Sequence, residues 1–295
     1  MKNAKGIAYA LISSSTFGLI PLFSIPILTG GNMEAPSLLF YRFAIATLMV
    51  ALAGIALGKN FRVSFPALLK IAVLGIFYAA TSMGLTLSYR YVPSGVATTI
   101  HFLYPVLVTA IMTMCFHEKS SRTLLVAAGL SIAGVAALSW GEGQIRIEGL
   151  LLVLMTVVTY ATYIVGVNRS GVEHIDPLVL TFYVFVASTV LFALFGLSTT
   201  GFQPIDSSPT LVRLLLLAAL PTVLSDFTLI LAVKYVGSTV TAILGSMEPL
   251  VAVLMGVLCF SERFSTQNAI GLALVITAVT LVVMRRSQGQ KTTSK

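Results

Sequence analysis

Four ionisable side chains lie inside long apolar runs: Arg42, His101, Asp226 and Glu248. Glu248 stands in L-G-S-M-E-P-L-V, followed directly by Pro249, in a stretch that is otherwise apolar from Thr239 to Phe260. A charge at bilayer depth costs roughly 2.5–3.5 kcal/mol, so such groups face a cavity, pair with one another or bind something polar. The chemistry open to them is recognition of a polar solute, carriage of a proton, or structural pairing. A glutamate desolvated in a cavity is a candidate proton carrier, and Glu248 is that candidate; pairing with Arg42 is its structural alternative. For Arg42 itself, pairing or snorkelling competes with contact to a solute. His101 can equally be a satisfied interior histidine.

Helical spacing extends these positions into faces. Ala97, His101 and Tyr104 share one face, and Thr241, Gly245 and Glu248 share another. Tyr78 with Ser82, and Thr222 with Asp226, are pairs four apart; Ser13 with Phe17 and Thr156 with Tyr160 repeat that spacing. Pro105 and Pro249 follow Tyr104 and Glu248, and a proline there deprives a carbonyl one turn earlier of its helical partner. The expected substrate-binding set is Glu248, His101, Tyr104, Asp226, Ser82, Tyr78, Thr222, Thr241, Phe17, Tyr160 and Arg42.

The elements that must position these residues are set by the solvent. The chain has 295 residues, 57% hydrophobic and 9% charged, with mean hydropathy +0.98. Soluble domains carry about 25% charged residues, so lipid is the expected solvent and the bilayer the first partner. Ten apolar segments approach the ~20 residues that cross the hydrocarbon core: 4–26, 35–57, 67–89, 93–115, 122–140, 147–167, 177–197, 210–232, 237–259 and 267–284. The first is too long for a signal-peptide core and reads as an uncleaved span.

With a cytoplasmic N-terminus, thirteen basic residues collect inside and only Arg90, Arg146, Arg213 and Arg263 outside. The bias places both termini in the cytoplasm. The net charge of +8 is spread over short loops, without a basic patch interleaved with aromatics, so nucleic acid is not an expected partner. Glu118 and Glu262, just past their span ends, are expected in loop hydrogen bonds.

The chain also repeats itself. At a shift of 144, Y-V-P-S-G-V-A-T-T-I-H-F-L-Y-P (91–105) aligns on Y-V-G-S-T-V-T-A-I-L-G-S-M-E-P (235–249), and C-F-H-E-K (115–119) on C-F-S-E-R (259–263). At 143, Gly6, Thr16 and Phe17 fall on Gly149, Thr159 and Tyr160. Five spans per half is an odd number, so the second half enters the membrane from the opposite side. Inverted repeats place a binding site near the midplane where they meet. The expected fold is all-α integral membrane, ten transmembrane helices as two inverted-topology five-helix repeats: 1–140, 147–286, and a cytoplasmic basic tail, 287–295. Cys115 and Cys259 then sit on opposite sides and cannot be bridged.

In layout and motifs the chain resembles EamA-type permeases of the drug/metabolite transporter superfamily. The resemblance rests on the 5+5 arrangement, Y-R-F around Arg42, the paired P-V-L-V…F-H-E-K and P-L-V-A…F-S-E-R segments, and Gly129 and Gly271 after them. It implies a secondary transporter of small polar metabolites such as amino acids, frequently an exporter, in a bacterial inner membrane. The first four spans of each half would line its cavity. A non-transporting sensor or scaffold on the same fold, or a carrier of phosphorylated or nucleotide-sugar solutes, is the alternative. Catalytic and metal readings fail: His117-Glu118 has serine, not histidine, at 121, no G-x-S-x-G elbow appears, and Asp226 is the one membrane aspartate. No cofactor is expected. One chain holds both halves, so a cavity can be completed by a monomer.

Overall fold

The computed structural model describes residues 2–30, 33–92, 94–118, 122–138, 146–199, 201–260 and 265–293, and among them no strand occurs. Helices α1 (Lys2–Phe17) and α2 (Ile20–Thr29) form one broken rod. Then come α3 (Ala35–Ala56), α4 (Phe65–Ser88), α5 (Ser94–His101), α6 (Tyr104–Met114) and α7 (Arg122–Leu138). The second half has α8 (Ile147–Arg169), α9 (Pro177–Ser198), and α10 (Ser208–Ala218), which runs through a π-helical turn (Ala219–Leu224) into α11 (Ser225–Val236). It closes with α12 (Ser238–Leu244), α13 (Met247–Phe260) and α14 (Thr266–Thr293).

Six continuous or nearly continuous helices are long and apolar enough to cross a membrane: 3–29, 35–56, 65–88, 147–169, 177–198 and 208–236. The expectation of ten spans is therefore not met helix by helix among the described residues. The reason is local. Of the four expected spans outside this set, the fourth and ninth are each split, into α5 and α6 at residues 102–103 and into α12 and α13 at 245–246, ahead of Pro105 and Pro249. The fifth, α7, has 17 residues, and the apolar stretch of α14, Thr266–Leu281, is likewise short. A proline lacks the N–H for the i−4 carbonyl and its ring crowds that carbonyl, so the helix ends before it. The two splits fall at matching places in the 144 repeat, to within a residue.

The solvent is legible on the surface. Leu48, Leu52 and Ile55 on α3, Leu69, Val73 and Ile76 on α4, and Leu151, Leu154 and Val158 on α8 are all exposed. Each set is spaced three or four apart, an outward apolar stripe that water would not tolerate but acyl chains do.

The tightest helix pairs are α1 with α11, α4 with α8, α3 with α9, and α7 with α14. Every one of them joins the first half to the second. The repeats are interlocked, and neither half is a separate body that could rock as a unit.

Matched contacts close the two ends of the bundle. Gly6 on α1 abuts Tyr235 and Val236, where an added Cβ would lie 2.7 Å from Tyr235 Cβ and 2.6 Å from Val236 Cγ1. At the other end Gly149 on α8 abuts Tyr91 and Val92, with corresponding distances of 2.7 and 3.0 Å. All three positions in each set correspond in the repeat. Glu34 and Arg90 mark the Gly149 end, 4.0 Å apart.

At the Gly6 end, Asp176 caps α9 by accepting from the Leu178 N–H (2.9 Å) and from Lys59 Nζ (2.7 Å), and Arg169 faces Glu118 at 3.8 Å. Cys115 is exposed and unbridged. Glu262, Arg263 and the Cys259 side chain lie outside the described residues. Helix α14 continues to Thr293, into the stretch expected as a tail.

Gly149→Val is expected to overpack the Tyr91–Val92 contact and cost about 1–3 kcal/mol, read as a lower unfolding temperature in detergent. Gly129→Ala, which meets nothing within 4 Å, should leave stability unchanged or raise it by up to about 1 kcal/mol. Asp176 supplies a pH signature. Partial burial opposes its ionisation, but the Lys59 and Leu178 hydrogen bonds and the Lys59 charge outweigh that and hold the carboxyl below its ordinary 3.8. A depressed carboxyl stabilises the fold above its unfolded pKa and loses that contribution as pH falls through the folded value. Asp176→Ala should therefore cost about 1 kcal/mol at neutral pH, mostly the lost cap, and the difference from wild type should vanish in acid.

Candidate functional site

The helix breaks surround a cavity of about 50 Å³. The α1–α2 break supplies Phe17, Gly18, Ile20 and Pro21; α3 supplies Arg42; α5 supplies Thr98 and His101. Along α4, Tyr78, Thr81, Ser82, Leu85, Thr86 and Tyr89 form one face. From the second half come Tyr160 on α8 and Glu248 at the start of α13. Gly18 lets α1 approach α13, since a Cβ there would meet the Glu248 carbonyl at 2.5 Å.

Seven of the eleven residues expected from sequence line this space: Glu248, His101, Ser82, Tyr78, Phe17, Tyr160 and Arg42. The other four do not. Tyr104 is buried and donates to the Ala242 carbonyl (3.4 Å), its hydroxyl filling the place a side chain would take at Gly245. Thr241 back-bonds to Gly237 (2.7 Å). Thr222 and Asp226 are buried behind the wall. The repeat carries Tyr78 and Ser82 onto Thr222 and Asp226, but α4 is continuous where its counterpart holds the π turn at 219–224, so the two helices do not present matching positions in the same way.

Arg42 is 3% exposed and held from behind. Its Nε donates to Thr222 Oγ1 (2.6 Å) and an Nη2 hydrogen to the Pro221 carbonyl (3.1 Å). Thr222 Oγ1 in turn donates to the Leu217 carbonyl (2.7 Å), the group that Pro221, lacking an N–H, cannot serve. The guanidinium also lies over the Phe43 ring, 5.3 Å from its centroid. Among the described residues no ion pair within 4.0 Å involves Arg42 or Glu248. The pairing that was the structural alternative for Glu248 is not made, yet both groups line one cavity.

His101 is fixed by Thr156, Nδ1 to Oγ1 2.8 Å. The one hydroxyl hydrogen of Thr156 goes to the Val153 carbonyl (2.6 Å), so Nδ1 carries the hydrogen in the contact with His101. Nε2 is left as an acceptor. Tyr104 and Tyr160 flank the imidazole, each at 5.3 Å between centroids. The carbonyl that Pro249 frees at Gly245 is taken by the Glu248 N–H (2.9 Å), so it does not project into the cavity as a bare acceptor.

Sequence reasoning missed Tyr89, Thr86, Thr81, Thr98 and Gly18. The Tyr78–Ser82 spacing, carried on to Tyr89, would have found most of them. Thr86 and Tyr89 also line a second space of about 450 Å³ that reaches Glu34 and Arg90 at the Gly149 end. The small cavity thus adjoins a vestibule at that end.

A model of the EamA-like transporter family matches residues 4–140 and, again, residues 147–284. The chain belongs to this family. The double match shows the two-repeat architecture, and with the apolar helices it makes the chain an integral membrane protein. Similar proteins are the uncharacterized transporter YvbV of Bacillus subtilis, 25% identical over 266 residues that cover 87% of this chain and 85% of YvbV, and an uncharacterized transporter of Archaeoglobus fulgidus, 30% identical over 48% of this chain and 49% of that one. A solved crystal structure shares the fold, with TM-score 0.80 at 19% identity, covering 97% of this chain and 98% of the other.

Thr222→Val should remove both the prop under Arg42 and the donor to Leu217, costing about 1–3 kcal/mol of stability. Thr222→Ser keeps the hydroxyl and should stay near wild type in the same thermal unfolding measurement.

Proposed function

We propose that the protein is a secondary transporter of small zwitterionic solutes, amino acids or their relatives, working by alternating access. One observation carries this reading: an arginine and a glutamate line the same buried cavity without pairing with each other. A cavity that presents both signs suits a solute with a carboxylate and an ammonium group. Arg42, pinned by Thr222, offers fixed N–H donors; Glu248 offers an acceptor; Tyr78, Tyr160 and Phe17 offer ring faces. Glu248, His101, Ser82 and these residues form the binding set, with Tyr104, Thr222 and Thr241 supporting it. Arg42 is the single basic group other than His101 in the lining, which disfavours phosphorylated and nucleotide-sugar solutes.

In this reading the six long helices, the two split segments, α7 and α14 make ten crossings with both termini in the cytoplasm of a bacterial inner membrane. The excess of basic residues at the Gly6 end supports that orientation. The vestibule then faces outward, and export follows the direction the family resemblance implies. A cavity of about 50 Å³ is small against the ~300–1,000 Å³ usual for ligand sites, so the solute enters in a more open conformation. Because the tight pairs cross between repeats, the moving bodies are α1 with α11 against α4 with α8, each mixing both halves.

The test is counterflow in proteoliposomes with a panel of single amino acids and small organic acids. Wild type should move at least one zwitterion. Glu248→Gln and Arg42→Met should each slow it about 10–100-fold, the worth of a lost charged hydrogen bond, while leaving the protein folded. Transport indifferent to both substitutions would remove the assignment, and a wild type that moves nothing would favour a sensor or scaffold.

A further inference from the structure

Asp226 is not in the cavity wall. It is fully buried, with Oδ1 accepting from the Tyr163 hydroxyl at 2.8 Å. Its other oxygen, Oδ2, has no hydrogen-bond partner, and neither has the buried hydroxyl of Tyr78. The Tyr78 and Tyr163 rings lie 4.8 Å apart, and Tyr163 stacks on Tyr160 at 6.3 Å. Tyr78 and Tyr160 both line the cavity. A tyrosine layer thus separates the carboxyl from the solute space and touches both.

A structural acceptor for Tyr163 needs neither a second oxygen nor a charge; asparagine would serve. A carboxylate offers about four lone-pair positions, and here one donor meets them. The nearest cation, Arg42 on α3, has committed its Nε and Nη2 to Thr222 and Pro221. The other titratable groups facing Asp226 are Tyr163 and Tyr160 on α8 and Tyr78 on α4. Lys234 and Tyr235 lie eight or more residues along α11, over two turns away, and Tyr9 on α1 stacks on Tyr235 there. Tyr183 on α9 donates to the Phe61 carbonyl (2.7 Å), and neither α12 nor the π turn carries a titratable side chain.

We infer that Asp226 is the proton-carrying site of this transporter, separate from the solute site at Arg42 and Glu248, with Tyr163 and Tyr78 linking it to the cavity wall. The inference rests on the transporter reading above. Loading takes a proton from hydronium on the cavity side, breaking one of its O–H bonds, forming one O–H bond on Oδ2 and cancelling one negative charge. Release breaks that bond, returns the proton to water and restores the charge. Glu248 is then free to stay with the solute, and the two carboxyls divide the work.

Infrared difference spectra between acid and alkaline pH, on the full chain in lipid nanodiscs, need no solute. Wild type should show the carbonyl stretch of a titrating carboxylic acid that is absent in Asp226→Asn and retained in Glu248→Gln. Tyr163→Phe, which removes only the hydrogen bond, should shift that band without abolishing it. A band that survives in Asp226→Asn, or one untouched by Tyr163→Phe, overturns the assignment. In proteoliposomes given an equimolar amino-acid mixture, Asp226→Asn should cut uptake driven by a pH gradient about tenfold or more and leave downhill exchange near wild type. Undiminished pH-driven uptake in that variant would also overturn it. If wild type moves no amino acid, the zwitterion reading fails on its own while the infrared result still decides Asp226.

Discussion

Pro221 removes one amide hydrogen from the middle of the Ser208–Val236 rod, and much of the interior is organised around replacing it. In lipid an unserved carbonyl costs several kcal/mol. The Leu217 carbonyl is served by the Thr222 hydroxyl, whose oxygen then receives Arg42 Nε; the Pro221 carbonyl receives another Arg42 hydrogen. A backbone defect in the second half thereby anchors the one buried guanidinium of the first half. The π turn, the buried Arg42 and the cavity it shares with Glu248 all meet around this one missing N–H.

The repeat is visible in the backbone and broken in the side chains. His101 serves Thr156, but its counterpart Gly245 has nothing to offer Ser13, whose hydroxyl is buried without a partner. Tyr104 reaches into the gap at Gly245, while its own counterpart, Glu248, points into the cavity. The broken α1–α2 rod has an unbroken α8 as its counterpart in the repeat. Two related halves thus enclose a space whose wall is drawn mainly from the first, with its negative charge from the second.

Much of this was legible in the residues. The lipid solvent, the repeat register and seven cavity residues emerge from hydropathy, self-alignment and helical spacing. The prolines are visible there too, but hydropathy reads the segments split ahead of them as continuous spans. One part that was not legible involves the π turn: the repeat carries Tyr78 and Ser82 onto Thr222 and Asp226, and the continuous α4 has no counterpart to that turn. Tyr104 was misplaced for a different reason, since Gly245's missing side chain is a vacancy only a three-dimensional neighbour reveals. The tight pairing of helices across the repeats could not be read from either half alone.

The matched glycine contacts at Gly6 and Gly149 carry a thermodynamic consequence. Each joins the first helix of one half to a tyrosine–valine pair of the other half, so the two junctions share their core chemistry. In the proposed alternating-access cycle, a preference between outward and inward conformations would then rest on the positions where the halves differ, among them Pro21, His101 and Glu248.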